Sequence, residues 1–203
     1  MKEELKTHIK IISAIANIPI GGTLVLGVQF FSLWVPSQNA IQLTILVSLT
    51  LFGMLFSGVG NCILNIFTAT NKLRWNSIVV IASGLFNITL VAILLRTTNL
   101  GIYAIAGVSS FVTILRIMCF TAPYAAKCIE QSAFTFLIPL LKGASNVLIP
   151  VLIGLLVRML PGNGWGMFFV RCGIVGGISM IVDYFAILNK YERGKVRQMF
   201  NKK

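Results

Sequence analysis

Ser77-Ile-Val-Val-Ile-Ala-Ser-Gly-Leu-Phe-Asn-Ile-Thr-Leu-Val-Ala-Ile-Leu-Leu95 runs from end to end without a charged residue. A helix that crosses the hydrocarbon core of a bilayer needs about 20 such residues. Working outward from this stretch, the same hydropathy reading predicts spans at about 11–35, 42–68, 77–95, 101–120, 134–157 and 165–188. Composition agrees: 57% of the 203 residues are hydrophobic and only 11% are charged, against about 25% charged in an ordinary globular domain. So little charge cannot cover the surface of a water-soluble fold, and the sequence predicts an all-α integral membrane protein.

Turn chemistry separates the spans. Pro36-Ser37-Gln38-Asn39, Asn71-Lys72-Leu73-Arg74, Thr97-Thr98-Asn99, the chain from Pro123 onward and Pro161-Gly162-Asn163-Gly164 are the predicted connections. All are short, so residues 1–203 are expected to form a single six-helix transmembrane lobe with a basic tail over 189–203. Lys2, Lys6, Lys10, Lys72, Arg74, Lys127 and six basic residues of the tail fall on one side, while only Arg96 and Arg158 fall on the other. Basic residues collect on the cytoplasmic side, so both termini are expected there. The net charge of +12 then reflects topology and attraction to anionic membrane lipids, with no nucleic acid implied. The first span is long, carries Asn17, Pro19 and Gly21-Gly22, and has no small-residue cleavage site, so it does not read as a cleavable signal. Asn87-Ile88-Thr89 is a glycosylation sequon, but it lies inside a span. Cys62, Cys119, Cys128 and Cys172 have no metal-binding or redox spacing and read as packing residues.

The missing chemistry is as telling. The chain has one Asp, one His and four Glu. Aspartate clusters that hold divalent metal, paired histidines for zinc and a Gly-rich phosphate loop closed by Lys-Ser/Thr are all absent. The expectation is a protein that is not an enzyme, with no cofactor and no metal.

Polar groups inside the spans therefore carry the functional reading. An ionisable group at a helix centre costs about 2.5–3.5 kcal/mol on insertion scales. Arg116 is expected near the cytoplasmic interface, within reach of it by snorkelling. Lys142 and Asp183 reach similar depths on consecutive antiparallel helices, about 12 Å and 10 Å from the same face at 1.5 Å per residue. They are expected either to pair or to line a wet cavity, and a pair that merely joins two helices is the structural alternative. Arg171 lies roughly 9 Å deep with no acid at its level, so it either snorkels or meets an anionic ligand. On the second span Thr50, Ser57, Asn61, Asn65 and Thr68 share one face. On the first, Ser13, Asn17 and Gly21 repeat the pattern. Such faces turn to other helices, by hydrogen bonding, or to substrate. Pro19, Pro139 and Pro150 are expected to interrupt their helices. Gly173 and Gly177, four residues apart, permit close helix contact.

Gly84-Leu-Phe-Asn-Ile-Thr-Leu-Val-Ala-Ile-Leu-Leu95, followed by Asn99-Leu-Gly-Ile-Tyr-Ala-Ile-Ala-Gly107, looks like an asparagine-bearing span, a short outside turn and a Gly-Ile re-entry. Ile63-Leu-Asn-Ile-Phe-Thr-Ala-Thr-Asn-Lys72 and Lys190-Tyr-Glu-Arg193 look like two further helix ends of the same kind. With these motifs the sequence, from about residue 10 to 197, resembles the polysaccharide flippases of the multidrug/oligosaccharidyl-lipid/polysaccharide exporter superfamily, in their C-terminal half. The resemblance implies one lobe of a two-lobe transporter of roughly twelve to fourteen helices working by alternating access. It implies a polyprenyl-pyrophosphate-linked oligosaccharide as cargo, flipped across the bacterial plasma membrane for surface polysaccharide biosynthesis. It also implies a second six-helix lobe, as a missing N-terminal half, a partner chain or a homodimer. A cationic cavity suits a pyrophosphate, and Lys142, Arg171, Asn61 and Asn65 are the candidate substrate-binding residues, with Asp183 and Lys142 as the ion pair or coupling site. Two other readings are an accessory or structural membrane subunit and a lobe of a cation-coupled multidrug exporter.

Overall fold

The computed structural model describes residues 2–186; the basic tail 189–203, with Lys190-Tyr-Glu-Arg193, lies outside them. Among the described residues all regular structure is helical, and six stretches are long and apolar enough to cross a membrane: Thr7–Trp34, Ala40–Ala69, Leu73–Thr97, Ile102–Cys128, Phe134–Arg158 and Trp165–Phe185. The chain divides into two compact units, Met1–Ala40 with Gly143–Lys203, and Ile41–Lys142.

The first unit is built on helix α1 (Lys2–Trp34). Although Pro19 is expected to interrupt it, α1 continues through that residue. Helix α6 (Phe134–Ser145) likewise contains Pro139, but it stops before Pro150, and the chain restarts as α7 (Leu148–Arg158). The restart places Pro150 in the first turn of α7, where a missing N–H is harmless. Across the break, Asn146 and Val147 donate to Gly143 O and Ala144 O, three residues back, at 3.3 Å each. Asn17 of α1 completes the joint: its Nδ2 donates to Gly143 O at 2.7 Å. Helix α8 (Trp165–Ala186) closes the unit against α1 and α7. Val25, Leu26, Val157 and Val175 form its buried centre, with Val151 and Phe168 packed against them. At the end where α1 stops and α8 starts, Phe30 meets Trp34, Trp165 and Phe168 with ring centroids 5.3, 6.2 and 5.6 Å away.

The second unit holds α2 (Ala40–Ala69), α3 (Leu73–Thr97), α4 (Ile102–Arg116) and α5 (Ala122–Cys128), with α6 as far as Lys142. Three contacts set α2 against α4 and its continuation. A Cβ at Gly53 would come within 2.9 Å of Ser110 Cα, one at Gly60 within 3.1 Å of Ile117 Cδ1, and the rings of Phe67 and Tyr124 lie 5.3 Å apart. Each pair stands seven residues beyond the one before on both strands of the contact. The two helices therefore run parallel with the seven-residue repeat of a coiled-coil seam. Ser110 strengthens the closest approach by donating to Leu49 O at 2.5 Å.

Between α4 and α5 the expected end of the fourth span is corrected. The helix does not stop at 120 ahead of Pro123 but passes through a π turn over Ile117–Thr121 into α5. The wider turn puts Pro123 at the start of the restarted helix, so its missing N–H does not end the span. At the ends of α2 and α5 the chain uses one stop device twice. Asn71 and Glu130 take positive φ values of 52° and 55°, and the next residues, Lys72 and Gln131, donate back to Phe67 O and Ala126 O at 2.9 Å.

Adjacent glycines on α1 make the packing testable. A Cβ at Gly21 would lie 2.6 Å from Pro150 Cγ and 3.3 Å from Val147 O, whereas one at Gly22 meets nothing within 4 Å. Gly21→Ala is expected to destabilise the chain by about 1–3 kcal/mol. Gly22→Ala is expected to stabilise it by about 0.5–1 kcal/mol through helix propensity. Unfolding in detergent, followed by circular dichroism, measures both.

Candidate functional site

The two polar stripes expected from the sequence meet different fates. On α1, Ser13 and Asn17 are 3% and 1% exposed. Ser13 donates to Ile9 O at 2.7 Å, and Asn17 is committed to Gly143. This stripe is structural. On α2, Thr50, Asn61, Asn65 and Thr68 are exposed and Ser57 is half-buried. A face with so many polar groups is too polar for lipid.

Part of the α2 stripe opens into a groove of about 630 Å³ inside the second unit, between α2 and α4. One wall carries Thr50 and Ser57; the other carries Ser109, Ser110, Thr113 and Arg116. On α4, Ser109, Thr113 and Arg116 stand at i, i+4 and i+7, which aligns them on one helix face. Local bonds hold the hydroxyls: Thr113 donates to Ser109 O at 2.8 Å and Thr50 to Leu46 O at 3.2 Å. Behind the groove, Asn87 of α3 donates to Ser109 Oγ at 3.4 Å.

Arg116 is the charged group of this groove. Its helix runs on past the end expected at 120. The fourth span reaches Cys128, so Arg116 stands about 21 Å from one end and 18 Å from the other at 1.5 Å per residue. The acid of the second unit is Glu130, in the turn beyond α5. Arg116 is thus a half-buried cation near the middle of its helix, with no ion pair among the described residues. The i, i+4, i+7 spacing of Ser109, Thr113 and Arg116 was the sequence signal for this face, masked by the stop expected at Pro123.

The sequence-predicted residues distribute over both units. Asn61, Asn65 and Lys142 belong to the second; Lys142 is exposed, in the last turn of α6. There its charge complements the carbonyls of a helix that stops inside a span. Arg171 and Asp183 belong to the first unit and stand twelve residues apart on α8, about 18 Å, so they do not share a site. Arg171 is 6% exposed. Its Nη1 donates to Gln29 Oε1, and its Nη2 to Leu160 O at 2.5 Å and Gly162 O at 3.1 Å. The guanidinium ties the α7–α8 connection to α1. Asp183 is 4% exposed and Ser179, one turn earlier, is fully buried. Neither carboxylate oxygen of Asp183, nor Ser179 Oγ, has a hydrogen-bond partner among the described residues. Those residues contain no group of three or more His, Cys, Asp or Glu able to hold a metal. Cys62 and Cys128 are buried, whereas Cys119 and Cys172 are exposed and free.

No protein-family model, no curated protein and no solved structure matches the chain.

A groove that holds an arginine and a row of hydroxyls is expected to be wet. In a chain with its four cysteines replaced by Ala, a charged, membrane-impermeant thiol reagent should label Thr113→Cys. It should leave Ile88→Cys unlabelled, because Ile88 is 67% exposed on the apolar surface of α3. Equal protection at both positions would show a groove closed to water.

Proposed function

We propose that this chain is the C-terminal lobe of a transporter that flips a polyprenyl-pyrophosphate-linked oligosaccharide across the bacterial plasma membrane. The observation that carries this reading is Arg116, a cation near the middle of its helix in a hydroxyl-lined groove, without an ion pair among the described residues. A half-buried cation on a spanning helix needs an anion or water to offset its burial, and an intramembrane ionisable group marks a functional site. A diphosphate headgroup in transit supplies the charge, while hydroxyls and the Asn61 and Asn65 amides supply hydrogen bonds to phosphate and sugar oxygens. Lys142, exposed in the last turn of α6, is the second cation we assign to the headgroup path. The motif resemblance at Gly84–Leu95 and Asn99–Gly107 supports the same reading. In this mechanism the lobe does no covalent chemistry. It exchanges the hydration of a doubly charged headgroup for fixed donors, and a second lobe closes over the opposite side.

A cation-coupled exporter lobe is the second reading. Asp183 favours it, as a buried acid on α8 whose oxygens have no hydrogen-bond partner among the described residues.

The test is complementation in a bacterium that lacks its own flippase, with the chain expressed alone and beside a matching N-terminal lobe. Surface polysaccharide is expected to return with the second lobe. Arg116→Ala should lower it roughly tenfold or more, the loss of one or two charge-assisted hydrogen bonds, with partial rescue by Arg116→Lys. Rescue by the chain alone would mean a homodimeric half-transporter. Stable insertion without any polysaccharide would move the accessory-subunit reading ahead.

A further inference from the structure

The groove between α2 and α4 changes character along its length. Near the ends where both helices begin, Leu46 lines one wall and Ile102, Ile105 and Ala106 line the other. Further along, the lining includes Ser57, Thr113 and Arg116. Because α2 and α4 run parallel, both walls turn from apolar to polar in the same direction. Past the groove, the same face of α2 continues with Asn61, Asn65 and Thr68, all exposed. One face therefore presents an apolar trough, then a cation, then amides and a hydroxyl. Ile105 and Ile102 precede Arg116 by eleven and fourteen residues, about 17 and 21 Å along α4. A lipid tail covers half of a hydrocarbon core about 30 Å thick, or about 15 Å. The trough is long enough for such a tail when its phosphate meets the guanidinium. The hydroxyls indicate what lies beyond the phosphate. Ser57 donates to Met54 O at 3.3 Å and Thr113 to Ser109 O at 2.8 Å, so both turn acceptor lone pairs to the groove. Acceptors repel further phosphate oxygens and suit the hydroxyl donors of a sugar.

We propose that this groove seats a lipid-linked saccharide lengthwise, with its hydrocarbon tail in the trough formed by Leu46, Ile102, Ile105 and Ala106. Its phosphate lies on Arg116, and its first sugars lie along Asn61, Asn65 and Thr68. The inference deepens the transport reading and rests on it for the cargo. It adds a tail subsite within this lobe and fixes a direction, tail toward the start of α4 and saccharide toward the end of α2. The guanidinium fork pairs with phosphate oxygens through charge-assisted hydrogen bonds. The tail is held by shape, because surrounding lipid is as apolar as the trough itself. A bulky side chain that fills the trough therefore removes the subsite without touching the charge.

Photocapture of radiolabelled geranylgeranyl diphosphate tests it, with the whole chain, its four cysteines replaced by Ala, in phosphatidylcholine nanodiscs. A thiol-linked benzophenone is placed at Leu46→Cys or at Asn65→Cys, about 28 Å apart along α2. Capture at Leu46→Cys is expected to exceed that at Asn65→Cys roughly tenfold. Arg116→Gln should lower capture at Leu46→Cys by roughly tenfold or more, the loss of charge-assisted hydrogen bonds. Ala106→Trp should do the same by filling the trough, and it keeps the test alive if Arg116→Gln folds poorly. Equal capture at the two positions, or more at Asn65→Cys, would overturn the direction. Capture unchanged by Ala106→Trp would place the tail elsewhere and overturn the subsite. Capture abolished when phosphatidylglycerol replaces phosphatidylcholine would give the groove to membrane phospholipid and overturn the assignment to cargo. The complementation assay separates this failure from that of the transport reading. Polysaccharide restored in full by Ala106→Trp would overturn the tail subsite and leave transport standing. The expected capture, with no polysaccharide from the unaltered chain and its second lobe, would support the subsite and remove the transport reading.

Discussion

The hydrogen bond from Asn17 to Gly143 O is the joint on which the first unit rests. A helix that breaks inside an apolar medium frees carbonyls that have no water to accept from, and each unsatisfied group costs several kcal/mol there. The α6–α7 break comes three residues before Pro150, and Gly143 O is met by a side chain from a different helix at 2.7 Å. That bond fixes the rotation of α1, because the turn that carries Asn17 also carries Gly21, against which Pro150 sits. With α1 set, Val25 falls opposite Gly154 and Gln29 opposite Arg171. The sequence of contacts climbs one helix face, from Asn17 through Gly21 and Val25 to Gln29, at spacings of four residues.

Prolines show how far the amino-acid order could be read and where it could not. Hydropathy alone located all six long apolar helices, because nearly 20 apolar residues in a row have few alternatives. Their ends were less legible. Pro123 and Pro150 carry the same local information, a missing N–H and a clash with the carbonyl four residues back. At Pro150 the chain breaks its helix, whereas at Pro123 it widens one turn and goes on. What separates them is tertiary: α5 packs Ala122, Ala125 and Ala126 into the second unit at 0% exposure, and Phe67 against Tyr124 extends the α2 seam past the π turn. Continuing the helix secures that burial. The consequence for the site is that eight further helical residues, to Cys128, leave Arg116 near the middle of its helix.

The stripes on α1 and α2 looked alike in the sequence, and nothing local distinguishes Ser13 and Asn17 from Asn61 and Asn65. Their roles diverge because of what lies opposite. Asn17 faces a broken helix that needs a donor, so it is used up in structure. Asn61 and Asn65 remain exposed. Helical spacing can say that a polar face exists; only the partner's backbone says whether the face is already spent.

The same distinction separates the two arginines. Arg171 sits among fixed acceptors, 6% exposed, with its charge delocalised toward a peptide segment that it holds in place. Arg116 opens onto a groove, has hydroxyls on the wall it shares, and makes no ion pair among the described residues. A cation on an open groove favours an anion that comes and goes. For a chain that lacks the acids to neutralise its own interior, placing one arginine in each setting divides the work: one charge to hold the helices, the other to be met by something that moves.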